Sequence, residues 1–184
     1  GPFEFEYEDP AGNVIQASGG SGDCSGTGSG AIVSVLEEDF TGMTAYTASD
    51  ADNFTSTSDY FGVTDGSTIS ATFVGADGDF YAAQDTDDAG DMDNSITLTF
   101  ASLNITGLTN LMFSIDVAED DDGSNQDWDD DTGLSVQAAI DGGTPITIFE
   151  VTNNNQGTNT EPVVTTGGSG VITNEFQTFT TAIV

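Results

Sequence analysis

Hydrophobic and polar residues alternate with a period of two along much of the chain, and no stretch repeats apolar residues at the i, i+3, i+4, i+7 spacing of an amphipathic helix. In residues 95–100, Ile96, Leu98 and Phe100 alternate with Ser95, Thr97 and Thr99, which sends the two sets to opposite faces of a strand. At the N-terminus Phe3-Glu4-Phe5-Glu6-Tyr7-Glu8 alternates aromatics with carboxylates, predicting a strand with Phe3, Phe5 and Tyr7 on one face. Residues 13–17 follow a Pro10-Ala11-Gly12 turn and predict the second arm of a hairpin. Further short runs at 31–36, 60–63, 69–74, 80–83, 95–100, 111–118, 134–140, 146–151, 162–165 and 177–184 lie between turn clusters. Among the turns, Asp141-Gly142-Gly143 reads as a tight hairpin and residues 104–110 as the turn between the strands on either side. This spacing predicts an all-β protein, an antiparallel β-sandwich carrying a tethered N-terminal strand.

The tether is the Gly/Ser-rich stretch 18–30, which spans roughly 20 Å as a flexible coil. It divides the chain into an N-terminal strand or hairpin at 1–17, the linker at 18–30 and a sandwich domain at 31–184. Neighbouring strands of one compact domain are usually joined by two to six residues. A long tether therefore marks residues 1–17 as a candidate donor strand, able to add to the sheet edge of a neighbouring copy. Phe3, Phe5 and Tyr7 are the expected anchors of that contact. The final strand, 177–184, ends in Ala182-Ile183-Val184 and calls for burial, so one of the two terminal strands is expected to lie outside its own domain.

Composition changes the picture sharply. The 184 residues include 32 Asp and Glu and no Lys, Arg or His, a formal charge of −32. Histidine general bases, lysine Schiff bases, arginine clamps on phosphate and histidine-ligated metals are all excluded. So is a nucleic-acid partner, because no cationic side chain is present to displace condensed counterions. No apolar run approaches the length of a membrane span, so no membrane insertion is expected. Apart from the amino terminus every interaction between charges in the chain is repulsive, and compaction must draw on external cations or salt.

Half of the carboxylates lie in two segments between expected strands, 77–93 and 116–131, which contribute seven and nine respectively. Oxygen-rich loops suit Ca²⁺, which takes six to eight oxygen ligands. In the second segment Asp127, Asp129 and Asp131 stand at alternate positions before Gly133, the spacing of the first half of an EF-hand loop. The glycine falls one place late and Ala138 stands where a bidentate Glu would be needed, so only the local Asp-x-Asp-x-Asp geometry is retained. Asp85, Asp87, Asp91 and Asp93 form the second candidate cation loop. Cys24, the sole cysteine, has no internal partner and is either free or a bridge between two chains. Asn53-Phe54-Thr55 and Asn104-Ile105-Thr106 match the N-glycosylation sequon.

The body also resembles a sandwich module of secreted and surface exoproteins of marine bacteria. The resemblance covers roughly residues 31–184 and rests on Glu38-Asp39-Phe40-Thr41-Gly42, residues 78–85, the Ile105-Thr106-Gly107-Leu108 run, Trp128-Asp129-Asp130, Ala139-Ile140-Asp141-Gly142-Gly143 and Phe176-Gln177-Thr178-Phe179-Thr180. It implies a jelly-roll-like accessory domain, non-catalytic and extracellular or on the cell surface. Similar modules continue into another strand beyond the point matching Val184, which implies a strand supplied from elsewhere. The expected function is a non-enzymatic extracellular subunit that binds calcium-like cations and polymerises with copies of itself by strand donation into a filament or sheath. The alternative is a calcium-dependent carbohydrate-binding module of a larger secreted protein, with Trp128 stacking on glycans. A hydrolase using a pair of carboxylates is the third reading.

Overall fold

The computed structural model describes residues 5–8, 14–17, 32–42, 45–49, 60–69, 71–84, 96–120, 128, 132–153 and 161–183. All regular structure among them is β-strand, in antiparallel pairs, and none is helix. The chain divides into two compact units, residues 1–34 and 35–184.

The first unit carries a hairpin of β1 (Phe5–Glu8) and β2 (Val14–Ala17). Its register sets Phe5 opposite Ala17, Glu6 opposite Gln16, Tyr7 opposite Ile15 and Glu8 opposite Val14. The alternating strand is thus paired with the segment that follows it in the chain.

In the second unit the largest sheet has the order β11-β10-β9-β8, formed by β8 (Gly133–Ala138), β9 (Ile146–Thr152), β10 (Val163–Thr166) and β11 (Gly170–Val171). Asp141 and Gly142 make the tight β8–β9 connection: their φ angles are 51° and 70°, and Gly143 N–H donates to Ile140 O at 2.9 Å. Two successive positive φ values give the turn the twist that antiparallel strands require, which explains the Asp-Gly pair. β7 (Met112–Val117) pairs along its whole length with β12 (Gln177–Ala182), from Val117 opposite Gln177 to Met112 opposite Ala182. Of the two terminal strands, the C-terminal one is therefore housed within the domain.

The core draws on residues from both of these sheets. Val117, Phe149, Val151, Val164 and Ile172 are buried together, with Phe113, Ile115, Trp128, Val136 and Phe179 packed around them. The alternation of β7 and β12 accounts for this, since Phe113, Ile115, Val117 and Phe179 occupy the less exposed parity of their strands. Gly167, at φ 76°, lets the loop after β10 lie against β9: a β-carbon there would stand 2.3 Å from Ile148 O.

A second cluster is almost wholly aromatic. β3 (Tyr46–Ala48) pairs with β6 (Leu98–Phe100), and β4 (Tyr60–Thr64) with β5 (Phe80–Gln84). Tyr81 meets Phe61, Tyr46 and Phe40 at ring-centroid distances of 4.9, 5.6 and 5.7 Å, and Tyr46 meets Phe100 at 5.8 Å. Such tilted and edge-on geometries are those that ring quadrupoles favour.

Two expected strands are absent. Residues 32–36 join no strand, although Ile32 and Val33 are 79% and 60% exposed. In the 69–74 segment only Val74 takes part in pairing, through an isolated parallel bridge to Glu175. Residues 104–110 do turn, with Leu108 N–H donating to Ile105 O at 3.0 Å, yet they connect strands of different sheets, because β6 pairs with β3 and β7 with β12.

Candidate functional site

Inward-facing rows of β7 and β9 run past the ends of their strands into polar residues. Residues 113, 115 and 117 are followed at the same parity by Glu119, and 149 and 151 by Asn153; both polar residues are only 4% exposed. The strand period thus carries two polar side chains into the enclosed rim of the core.

Backbone pairing brings these ends together. Val163 stands opposite both Thr152 and Val171, Ile172 N–H donates to Pro162 O at 2.9 Å, and Glu119 N–H donates to Thr173 O at 3.0 Å. Glu119, Asn153, Glu161 and Thr173 consequently gather at one end of the second unit. Gly133 stands opposite Thr152 at the same end. Trp128 packs on the core cluster. Glu161 Oε2 is enclosed and accepts no hydrogen bond from the described residues. Enclosing carboxylates is costly unless their charge is met or they bind a proton, and the chain has no basic side chain to meet it.

The Asp residues singled out from the sequence, Asp85, Asp87, Asp91, Asp93, Asp127, Asp129 and Asp131, lie outside the described residues, as do Phe3 and Cys24. Phe5 and Tyr7 lie in β1 at the register given above. Among the described residues no group of three or more Asp, Glu, His or Cys is arranged to hold a metal ion. Asn153 and Glu161 were missed by a reading that looked for acidic runs, whereas Glu119 fell within the 116–131 run without being singled out. For Glu119 and Asn153 the signal was the continued alternation beyond β7 and β9.

Smaller carboxylate devices stabilise the loops of the aromatic half. Glu38 accepts the backbone N–H groups of Phe40 at 2.9 Å and Ala45 at 2.7 Å. Burial, and then the Glu38 charge, raise the Tyr46 phenol above its ordinary value. Asp39 accepts the Thr41 N–H and Asp65 the Ser67 N–H, at 3.0 and 2.9 Å. Hydrogen bonds from the backbone and then the side chain of Thr41 lower the Asp39 carboxyl. At Asp65 the Ser67 side chain contributes first and its backbone second, again downward. These turns hold exposed carboxylates in the ionised form.

No helix among the described residues is long and apolar enough to cross a membrane. No family model matches the chain, and neither a curated protein nor a solved structure matches it.

Proposed function

We propose that the chain is a non-enzymatic extracellular structural subunit, a jelly-roll-like β-sandwich that binds calcium-like cations and assembles with copies of itself by β-strand addition. The observation that carries this reading is the β1–β2 hairpin: it has only two strands and belongs to a compact unit of its own. An isolated two-stranded hairpin is marginal in water and gains stability from a third strand or a packed face. Strand addition supplies it through main-chain hydrogen bonds, with Phe5 and Tyr7 as anchors, each worth about 1.5–3 kcal/mol if fully buried. Head-to-tail contacts of this kind need not close, so they extend into filaments.

Cation binding is supported by Glu161, whose Oε2 is enclosed and accepts no hydrogen bond from the described residues, in a chain without a basic side chain. Hard cations would offset the repulsion among the carboxylates.

Electron microscopy and sedimentation of the full chain, with calcium and with chelator, test both parts. Polymers are expected with calcium, and removal of residues 1–17 is expected to leave a soluble monomer. Monomers under both conditions would overturn assembly. An unchanged melting temperature on chelation would overturn the cation role.

A further inference from the structure

A cavity of about 250 Å³ opens beside the β4–β5 hairpin, lined among others by Asp65, Gly66, Thr72, Phe73 and Phe80. Its walls are fixed from both sides. On one, Gly66 N–H donates to Thr64 Oγ1 at 2.9 Å and the Thr64 and Thr68 hydroxyls bond at 2.9 Å, which sets the Asp65-Gly66 turn. On the other, Val74 N–H donates to Asn174 O at 2.8 Å, Phe176 N–H donates to Val74 O at 2.9 Å, and Asn174 Nδ2 donates to Thr72 O at 3.5 Å. Phe73, Phe80 and Phe176 form a triad with ring centroids 5.3 to 5.9 Å apart. Gly66, at φ 86°, takes a backbone conformation that favours glycine, and a β-carbon there would sit 3.7 Å from Phe80 Cε1 and Cζ.

The lining selects its ligand by charge. Anions meet no cationic group and several carboxylates, since Asp77, Asp79 and Glu175 are exposed beside lining or triad residues in the chain. Among the lining residues Thr72 brings the one side-chain hydroxyl donor, whereas Asp65 brings a full negative charge and the rings bring electron-rich faces. A neutral sugar needs several donors and acceptors around its hydroxyls. An ammonium group needs an anion and an aromatic wall, and Asp65, Phe73 and Phe80 all belong to the lining. The volume is below the roughly 300–1,000 Å³ of drug-sized sites, which suits a single head group.

We propose that this cleft binds a small organic ammonium group, a free quaternary amine or the side chain of a lysine on a partner, seated between Asp65 and the Phe73–Phe80 rings. The site is independent of calcium and of assembly. The chain's overall negative field concentrates such cations at its mouth.

The test is NMR titration of the intact chain in about 150 mM NaCl, where long-range attraction is screened, following the Phe73 and Phe80 ring signals. The probes are choline, its uncharged isostere 3,3-dimethylbutan-1-ol, and N-acetyl-lysine methylamide. Saturable shifts of both rings by choline, by the lysine derivative, or by both support the site and distinguish its natural source. Asp65→Asn is expected to weaken binding about threefold, the scale of an exposed cation contact, while Asp39→Asn in the similar turn outside the cavity lining leaves it unchanged. Equal binding of the uncharged isostere, an unaltered affinity in Asp65→Asn, or shifts that never saturate would each overturn the proposal.

Discussion

The two packed regions of the second unit are built from different side chains and differ in how completely they close. Around β9 the core is mainly aliphatic: Val117, Val151, Val164 and Ile172 surround Phe149, and both Phe149 and Val151 have no exposed surface. Around β3–β6 and β4–β5 the contacts run from ring to ring, with Phe100 still 40% exposed and a cavity open beside Phe73 and Phe80. Branched aliphatic side chains interdigitate between two sheets and leave few voids. Rings held edge-on at 5 to 6 Å leave wedge-shaped gaps between them. The aliphatic region therefore carries stability, and the aromatic region has room for a ligand.

The largest expected effect is at the centre of the aliphatic core. Phe149→Ala should cost about 3–5 kcal/mol, the range for emptying a buried phenylalanine site, whereas Phe100→Ala should cost less than about 2 kcal/mol because its ring is partly hydrated already. Equal losses in urea denaturation would erase the contrast between the regions. A glycine pair sharpens it: Gly167→Ala should cost about 2–4 kcal/mol, combining an unfavourable φ with a backbone clash. Gly66→Ala meets only ordinary contact with Phe80 and should cost about 1 kcal/mol.

A smaller effect, common to both regions, comes from the unbalanced charge. Raising NaCl from about 10 mM to about 500 mM should raise the melting temperature by about 5 °C as repulsion is screened. A melting temperature independent of salt would show that self-repulsion does not limit this fold. The smallest effect is local. The unfolded carboxyl of Asp39 or Asp65 titrates near 3.8 and the folded one lower. Each turn's contribution is thus present above about pH 3.8 and lost as pH falls through the lowered folded value. The Thr41 and Ser67 amide signals should therefore titrate with midpoints below 3.8; midpoints at or above it would mean that the turns do not hold the ionised form.

Alternation in the sequence located most of the strands, because β-strand burial has a two-residue period that local composition reproduces. β7, β9 and β12 carry long alternating or apolar runs, and Asp141-Gly142 carries the backbone preference of its turn. β3 and β11 are too short, at three and two residues, to raise a signal above their surroundings. Residues 32–36 and 69–74 have strand-like composition but little or no ladder, which shows that β propensity acts only where a neighbouring edge is placed to receive it. The acidic runs announced a cation chemistry and included Glu119, whereas the enclosure of Glu119 and Asn153 was announced only by parity.

The amino-acid sequence by itself determined the all-β character, the uniform negative charge and the chemistries that charge forbids, since each follows from residue type and spacing alone. Tertiary structure decided that β12 lies against β7, that β6 turns to β3 instead of β7, and that Val74 meets Glu175 and Phe73 meets Phe176. Those pairings join residues far apart in the chain, and their free energy comes from shared burial and ladder hydrogen bonds that no local pattern encodes.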